Sequence, residues 1–415
     1  MSTKSTELCI MNKRLRRAAG YGLSPRSSSH FAMPYPRRLA RARFLCVTAY
    51  ALGCILCVSV GSRPAQAQDM VLGVNAAIAS MSVEQQNAIL AQLHAAGIHY
   101  IRSGILPDDK GVDFARRAQA QGIRIDWLAQ LQYRPGAPSR PWPNAFGVWG
   151  GPPLSAADPD QFRKYFEPLL AKLEAAGVTL AGIELGNEIN SPMFNADFTL
   201  PAENPTRSRE FDLKDLSLDP EARQVAKGYL QYLKLLGIIK DVRSRSKLNQ
   251  HAVIVSAGLV FNEAPEAPRT ARLDAVSAAA TLDFMRANGL DDLADVYGVH
   301  TYPWTDNPGD PGAAAGRRER LQKYVLTECR SQGSAGGKPC WITEWGIPNH
   351  DASCPPHETN QIALVNETRS NFRPYIAEKR VLGLFYYAWL DTREGFAIYR
   401  CDHLTETGRV ALAPF

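Results

Sequence analysis

The chain has 415 residues, 45% hydrophobic and 21% charged, a balance that suits a globular protein and excludes a disordered or fibrous one. Its formal charge of +6 is unevenly spread: eleven of the 47 Lys and Arg, but only one of the 41 Asp and Glu (Glu7), fall in the first 67 residues. The remaining 36 basic and 40 acidic residues give residues 68–415 a net charge near −4, which leaves no general attraction for nucleic acid.

Residues 1–67 read as an N-terminal extension and signal peptide. Arg37, Arg38, Arg41 and Arg43 precede the apolar run FLCVTAYALGCILCVSVG, and Ala65-Gln66-Ala67 supplies a small-x-small cleavage pattern. Met33 makes a more ordinary start for such a signal than Met1. The 18-residue run also approaches spanning length, so an uncleaved membrane anchor is the competing reading. Lipid attachment at Cys54 lacks the usual leucine three positions earlier. Cleavage gives a secreted or periplasmic protein with no stable membrane partner, and it removes Cys9, Cys46, Cys54 and Cys57. Cys329, Cys340, Cys354 and Cys401 remain, an even number that in an exported chain suggests two disulfides; zinc would want a C-x-x-C pair, which these spacings lack.

From residue 70 the chain repeats one unit: an amphipathic helix, a glycine stop and a short β-rich run. The first strand is MVLGVN from 70. MSVEQQNAILAQLHAAG follows, with Ser82 as N-cap, Gln85 completing a capping box, Ile89, Leu90 and Leu93 on one face and Gly97 as stop. The second strand is HYIRSG from 99. VDFARRAQAQG stops at Gly122 before the third, IRIDWLAQ from 123. In DPDQFRKYFEPLLAKLEAAG, Asp158 caps, Pro159 takes the first helical position, Phe162, Phe166, Leu169 and Leu173 form the apolar stripe, and Gly177 ends the helix before TLAGIELG from 179. EARQVAKGYLQYLKLLGIIKDVRSRS leads to AVIVSAG from 252, and ATLDFMRANG stops at Gly289 before VYGVHTY from 296. CWITEWG from 340, a helix beyond PPHETNQIALVNETRS, and LGLFYYAW from 382 complete the series.

Eight strands separated by crossover helices must run parallel, and their natural closure is an α/β structure, a (β/α)8 TIM barrel spanning residues 68–415 as a monomer. A doubly wound open sheet would want a Gly-rich phosphate turn after the first strand, and GVNAAIAS has none. Only residues 390–415 follow the eighth strand, so the last helix is shortened or replaced by a tail. Long loops follow strands three and four, at 131–157 and 190–219, and the first carries Trp142 and Trp149, either to stack sugars or to close the rim. Loops at this end of a barrel build active sites, so their length suggests an extended cleft.

Strand four runs out through IELGNEIN and ends in Asn187-Glu188; strand seven ends in WITEWGIP with Glu344. In a parallel barrel both ends lie on one rim. Two carboxylates about 5 Å apart are what retaining glycoside hydrolysis uses, one attacking the anomeric carbon while the other protonates the departing oxygen. Glu184 shares the strand-four alternation and points into the barrel as a buried, hydrogen-bonded carboxylate. A metal-dependent barrel hydrolase would want clustered His and Asp at strand ends, where His300 is the only histidine.

These residues resemble glycoside hydrolase clan A, the retaining (β/α)-barrel enzymes that include the family 5 cellulases and mannanases and the family 39 xylosidases, over about residues 70–400. The resemblance implies Glu188 as acid/base and Glu344 as nucleophile. It further implies Asn187 as donor to the sugar 2-hydroxyl and Arg102 as the arginine that keeps the nucleophile ionised. His300 and Tyr302 match the strand-six His-x-Tyr, with Tyr302 bonding the nucleophile, and Trp389 in FYYAWLD matches the aromatic floor. It implies a β-linked oligo- or polysaccharide substrate and neither metal nor organic cofactor. Residue by residue, Arg102 can equally serve only Glu184, His300 can be a core histidine, and Trp345 can pack outward between strand and helix. Asp126 and Asp391 are further polar candidates without support from the resemblance. The rival function is a non-catalytic carbohydrate-binding barrel of an envelope polysaccharide system, which has no use for a nucleophile. Cys329 with Cys340 is favoured on loop length. Cys354 with Cys401 would join the loop after strand seven to the tail after strand eight, its neighbour in a barrel.

Overall fold

The computed structural model describes residues 70–144, 147–199, 209–260, 274–303, 305, 307–390 and 395–415, excluding the side chains of 141–150 and 324. The extension and signal at 1–67 lie outside these residues, as do Asp391 and the side chains of Trp142 and Trp149. Among the described residues no helix is long and apolar enough to cross a membrane.

Parallel strands β1 (Val71–Asn75), β2 (Tyr100–Ser103), β3 (Arg124–Ala129) and β4 (Gly182–Leu185) pair in chain order. On the other side of β1 lie β8 (Val381–Tyr386), β7 (Cys340–Trp345) and β6 (Tyr297–Thr301), also parallel. The fifth strand closes the ring in two pieces: Val253–Val255 pairs with β4, and Leu259–Val260 pairs with β6; together they are β5. Parallel bridges Asn187 to Gly258 and Val255 to Val296 seal this seam. The fold is a (β/α)8 barrel.

The crossovers form for local reasons. Helix α1 (Val83–Ala95) starts at Ser82, whose hydroxyl accepts from Gln85 N at 3.3 Å while Gln85 Oε1 accepts from Ser82 N at 3.1 Å. Helix α2 is Asp109–Ala120, and α3 (Pro159–Ala175) is capped by Asp158. Gly97, Gly122 and Gly177, all at φ 74°, end these three helices in a conformation other residues adopt only at a cost. The long α4 (Pro220–Ser244) and α5 (Ala278–Ala287) follow, then α6 (Pro311–Arg320) and α7 (Thr359–Ala377). The α3 stripe lands on the outside of β3, where Phe166 stacks on Trp127 with ring centroids 5.2 Å apart, and each such buried ring contributes roughly 1.5–3 kcal/mol. Inside the barrel, Trp341 of β7 reaches Gly182 of β4 across the lumen and packs with Phe385, Val71 and Val255. This plug closes the lower barrel and leaves the layer above it to polar side chains.

Described parts of the two long loops touch one another. Arg140–Asn144 pairs antiparallel with Gly147–Gly151 in the loop after β3. Arg140 reaches across to the loop after β4, donating to the carbonyls of Pro192 (3.0 Å), Asn195 (3.2 Å) and Phe198. The tail after β8 forms a hairpin, Tyr399–Arg400 against His403–Leu404, turned by Cys401 and Asp402 at φ 54° and 60°. It ends in the short α8 (Glu406–Leu412), against which Arg369 of α7 donates to the Ala411 carbonyl at 2.7 Å. Disulfides join Cys329 to Cys340 and Cys354 to Cys401, the pairing expected from the sequence.

Candidate active site

The rim residues are placed by how each strand ends. β4 stops at Leu185; Gly186 turns at φ 75°, and Glu188 itself takes φ 43°, a left-handed conformation that costs a non-glycine residue about 1–2 kcal/mol. Glu188 N donates to the Gly258 carbonyl and Ser191 N to the Glu188 carbonyl, both at 2.9 Å, so the strained turn is locked from both sides. Glu344 lies within β7, in register with His300 of the adjacent β6. One carboxylate oxygen of Glu188, a ring nitrogen of His300 and a carboxylate oxygen of Glu344 lie within 4.8 Å of one another, and all three residues are buried. The two carboxylates therefore share one opening.

Arg102 of β2 joins the layer together. It donates through Nε to Glu184 Oε2 at 2.5 Å and through Nη1 to Glu344 Oε1 at 2.5 Å and Asn75 Oδ1 at 3.0 Å. Its Nη2 reaches Asn187 Oδ1 at 2.8 Å and Glu184 Oε1 at 3.2 Å. Arg102 is thus partner to Glu184 and Glu344 alike. Glu184 is further satisfied by Gly258 N (2.9 Å) and Thr343 Oγ1 (3.1 Å), which suits a buried structural carboxylate. Burial works against the Arg102 charge, but Glu184 and Glu344 outweigh it and hold the guanidinium above its ordinary range.

Glu344 also accepts from the Tyr302 hydroxyl at 2.5 Å. Burial pushes its carboxyl upward, but the electrostatic pull of His300 and Arg102 and the hydrogen bonds from Tyr302 and Arg102 prevail and leave it below the usual value. Burial and the Glu344 charge push the Tyr302 phenol well above its usual range, so it remains a donor. His300 Nδ1 lies 2.9 Å from Glu188 Oε1 and 3.4 Å from Glu344 Oε2; two acceptor oxygens on that side assign the proton to Nδ1. The opposite edge of the ring rests on the β5 seam, where a Cβ on Gly258 would sit 2.0 Å from His300 Nε2. Gly258→Ala is accordingly expected to cost about 1–3 kcal/mol in urea denaturation and to lower activity by displacing His300; an unchanged midpoint would refute this tight contact.

Glu188, His300 and Glu344 have a spacing that a divalent cation can bridge, but the Arg102 charge 2.5 Å from Glu344 opposes a second cation there. The set is a hydrogen-bonded one. Asp126 faces inward in register with Arg102, and neither of its carboxylate oxygens has a partner among the described residues. Burial first, then the Glu184 charge, lift it well above the usual carboxylate range.

Trp389 departs from the expectation. Its side chain is completely buried, stacked on Tyr399 at 4.9 Å, and its backbone N donates to the Asn75 carbonyl; no indole face is left for a sugar. The reason is that β8 ends at Tyr386, after which the strand's two-residue alternation no longer orients side chains. Tyr387 instead stands partly exposed with its ring 6.0 Å from that of Tyr302. Trp345 is also buried, edge-on to Phe372 of α7, and so packs outward. Sequence reasoning missed Asn75, though a polar residue ending β1 on the same rim was a usable signal. A recess of about 420 Å³ lies elsewhere, lined by Arg134, Gln224, Lys227 and Lys234 among others, and contains neither carboxylate.

No family model matches the chain, and the sequence of no curated protein does. Among solved structures it is similar to one of ZgEngAGH5_4, at 11% identity over 83% of this chain and 96% of that one, with a TM-score of 0.49. It is similar to an endo-1,4-β-mannanase from Rhizomucor miehei (11% identity, 83% and 93% covered, TM-score 0.47). It is also similar to a fungal β-1,4-galactanase (15% identity, 82% and 93% covered, TM-score 0.44).

Proposed function

We propose that this chain is an exported retaining glycoside hydrolase that cleaves a β-linked oligo- or polysaccharide as a monomer. The observation that carries the reading is the pair Glu188 and Glu344, one carboxylate oxygen of each lying within 4.8 Å of the other, close enough for a single sugar to touch both, as direct attack by one and protonation by the other require. Their surroundings differ as the two roles require: Glu344 takes donors from Arg102 and Tyr302 and is held ionised, whereas the carboxylate of Glu188 is hydrogen-bonded only to His300 among the described side chains.

In this mechanism Glu344 attacks the anomeric carbon while Glu188 protonates the glycosidic oxygen, giving a covalent glycosyl intermediate. Glu188 then takes a proton from a water that attacks the anomeric carbon and displaces the Glu344 carboxylate, which frees the sugar with its configuration retained. Asn187 spends its Oδ1 on Arg102, which turns its amide nitrogen toward the sugar 2-hydroxyl. Tyr387 takes the floor position in place of Trp389. Export is supported by the signal pattern before Gln68 and by two disulfides. A purely carbohydrate-binding barrel would need the aromatics but no ionised nucleophile.

The test is hydrolysis by residues 68–415 of a panel of β-glucans, mannans, xylans and aryl β-glycosides, with the first-formed anomer followed by proton NMR. The β-anomer is expected to appear first. An α-anomer first, or no hydrolysis of any β-linked substrate, would overturn the reading.

A further inference from the structure

We infer that Phe396, carried in by the C-terminal tail, is a positioning residue that holds Tyr302 against Glu344, and that the Cys354–Cys401 disulfide fixes the tail in that place. The inference rests on the reading of Glu344 as nucleophile.

Three rings form one cluster. The Phe396 ring lies 5.3 Å from Tyr302 and 5.6 Å from Tyr387, which are themselves 6.0 Å apart and perpendicular. The Phe396 ring packs on Tyr302 at a tilt of 60° and edge-on to Tyr387, which is itself edge-on to Tyr302, so the three rings interlock and Phe396 limits the swing of Tyr302 away from Glu344. The tail approaches because β7 is followed by glycine: a Cβ on Gly346 would lie 2.4 Å from the Tyr387 carbonyl oxygen and 3.0 Å from Phe396 Cδ1. Main-chain bonds then fasten the segment on both sides. Asn349 N donates to Gly395 O at 2.7 Å, Ala388 N to Phe396 O at 3.3 Å and Ile398 N to Ala388 O at 3.1 Å.

The disulfide anchors the far end. Cys354 belongs to the loop after β7 and Cys401 to the hairpin turn five residues beyond Phe396. Arg400 adds a hydrogen bond to the Asn349 carbonyl at 3.4 Å and one to that of Asp351. These struts end on the loop that leaves the strand of Glu344, or on the residues just after β8.

Losing Phe396 is expected to loosen the Tyr302 donor and raise the Glu344 pKa. The other groups facing Glu344 remain in place: Arg102 from β2, His300 from β6 and Glu188 from the end of β4, with Glu184 behind Arg102. Phe396→Ala should lower kcat about tenfold to a hundredfold with KM nearly unchanged, and move the acid limb of the kcat profile to higher pH. Phe396→Tyr should restore both, and Cys401→Ser should shift them in the same direction by less. A readout independent of turnover is NMR of ring-carbon-labelled tyrosine, with the Tyr302 resonance assigned by Tyr302→Phe. That resonance should follow Glu344 titration in the parent and lose this response in Phe396→Ala. If Phe396→Ala lowers only thermal stability or KM, or leaves the tyrosine response intact, the inference is overturned. An inactive parent whose tyrosine response does depend on Phe396 would remove the glycosidase reading and leave the positioning role standing.

Discussion

Glu344→Ala is expected to abolish turnover on every substrate, whereas Glu188→Ala should lose roughly 10²–10⁴-fold on unactivated glycosides and far less on those with good leaving groups. The asymmetry follows from the roles. Without Glu344 no covalent bond to the sugar can form, and leaving-group chemistry cannot compensate. Without Glu188 a departing group that needs no proton still leaves, and the glycosyl intermediate waits for water. Adding azide should then speed the Glu188→Ala enzyme, since a small anion needs no general base. Steady-state kinetics on a nitrophenyl glycoside beside its natural-linkage counterpart separates the two variants. Equal losses on both substrates for Glu188→Ala would sink its assignment as acid/base. Both variants should fold, because Arg102 keeps Glu184 in either case.

Arg102→Met is expected to be the most destabilising single change in the barrel, by about 3–5 kcal/mol at neutral pH, with activity lost as well. The guanidinium is the shared partner of two buried carboxylates, so its removal strands both at once. The pH dependence has a definite sign. The folded protein holds Glu344 below its ordinary value, so this residue contributes stability above its unfolded pKa, and that stability is lost as pH falls through the folded pKa. In Arg102→Met, Glu344 loses a charge and a donor that favour its ionised form, and it binds a proton more readily than in the parent. The deficit should therefore be largest at pH 7 and shrink towards pH 4. Urea denaturation at the two pH values measures this; a deficit independent of pH would mean that Arg102 acts by packing alone.

The barrel was legible because four helices stop at a glycine, Gly97, Gly122, Gly177 and Gly289, shortly before an apolar run, and because polar residues at the ends of apolar runs stand out. Glu188 and Glu344 declared themselves in this way. Asn75 has the same signature and went unread, since one asparagine after VLGV carries no charge to be accounted for. Trp389 misled for a physical reason: counting along FYYAWLD assumes that the strand continues, while β8 stops at Tyr386 and the next residues turn. The split in β5 was hidden too, because Ser256-Ala257-Gly258 reads as ordinary strand until the His300 ring needs the space that Gly258 leaves. Phe396 was beyond reach, since nothing local tells a tail to fold back over a rim built by residues far away in the chain.

The guanidinium of Arg140 carries a lesson for anyone who would retarget this scaffold. It belongs to one insertion, yet it serves three carbonyls of the other, Pro192, Asn195 and Phe198. Transplanting either segment by itself would strip those oxygens of their donor and unmoor the recipient, so the pair behaves as a single cassette that must be exchanged together.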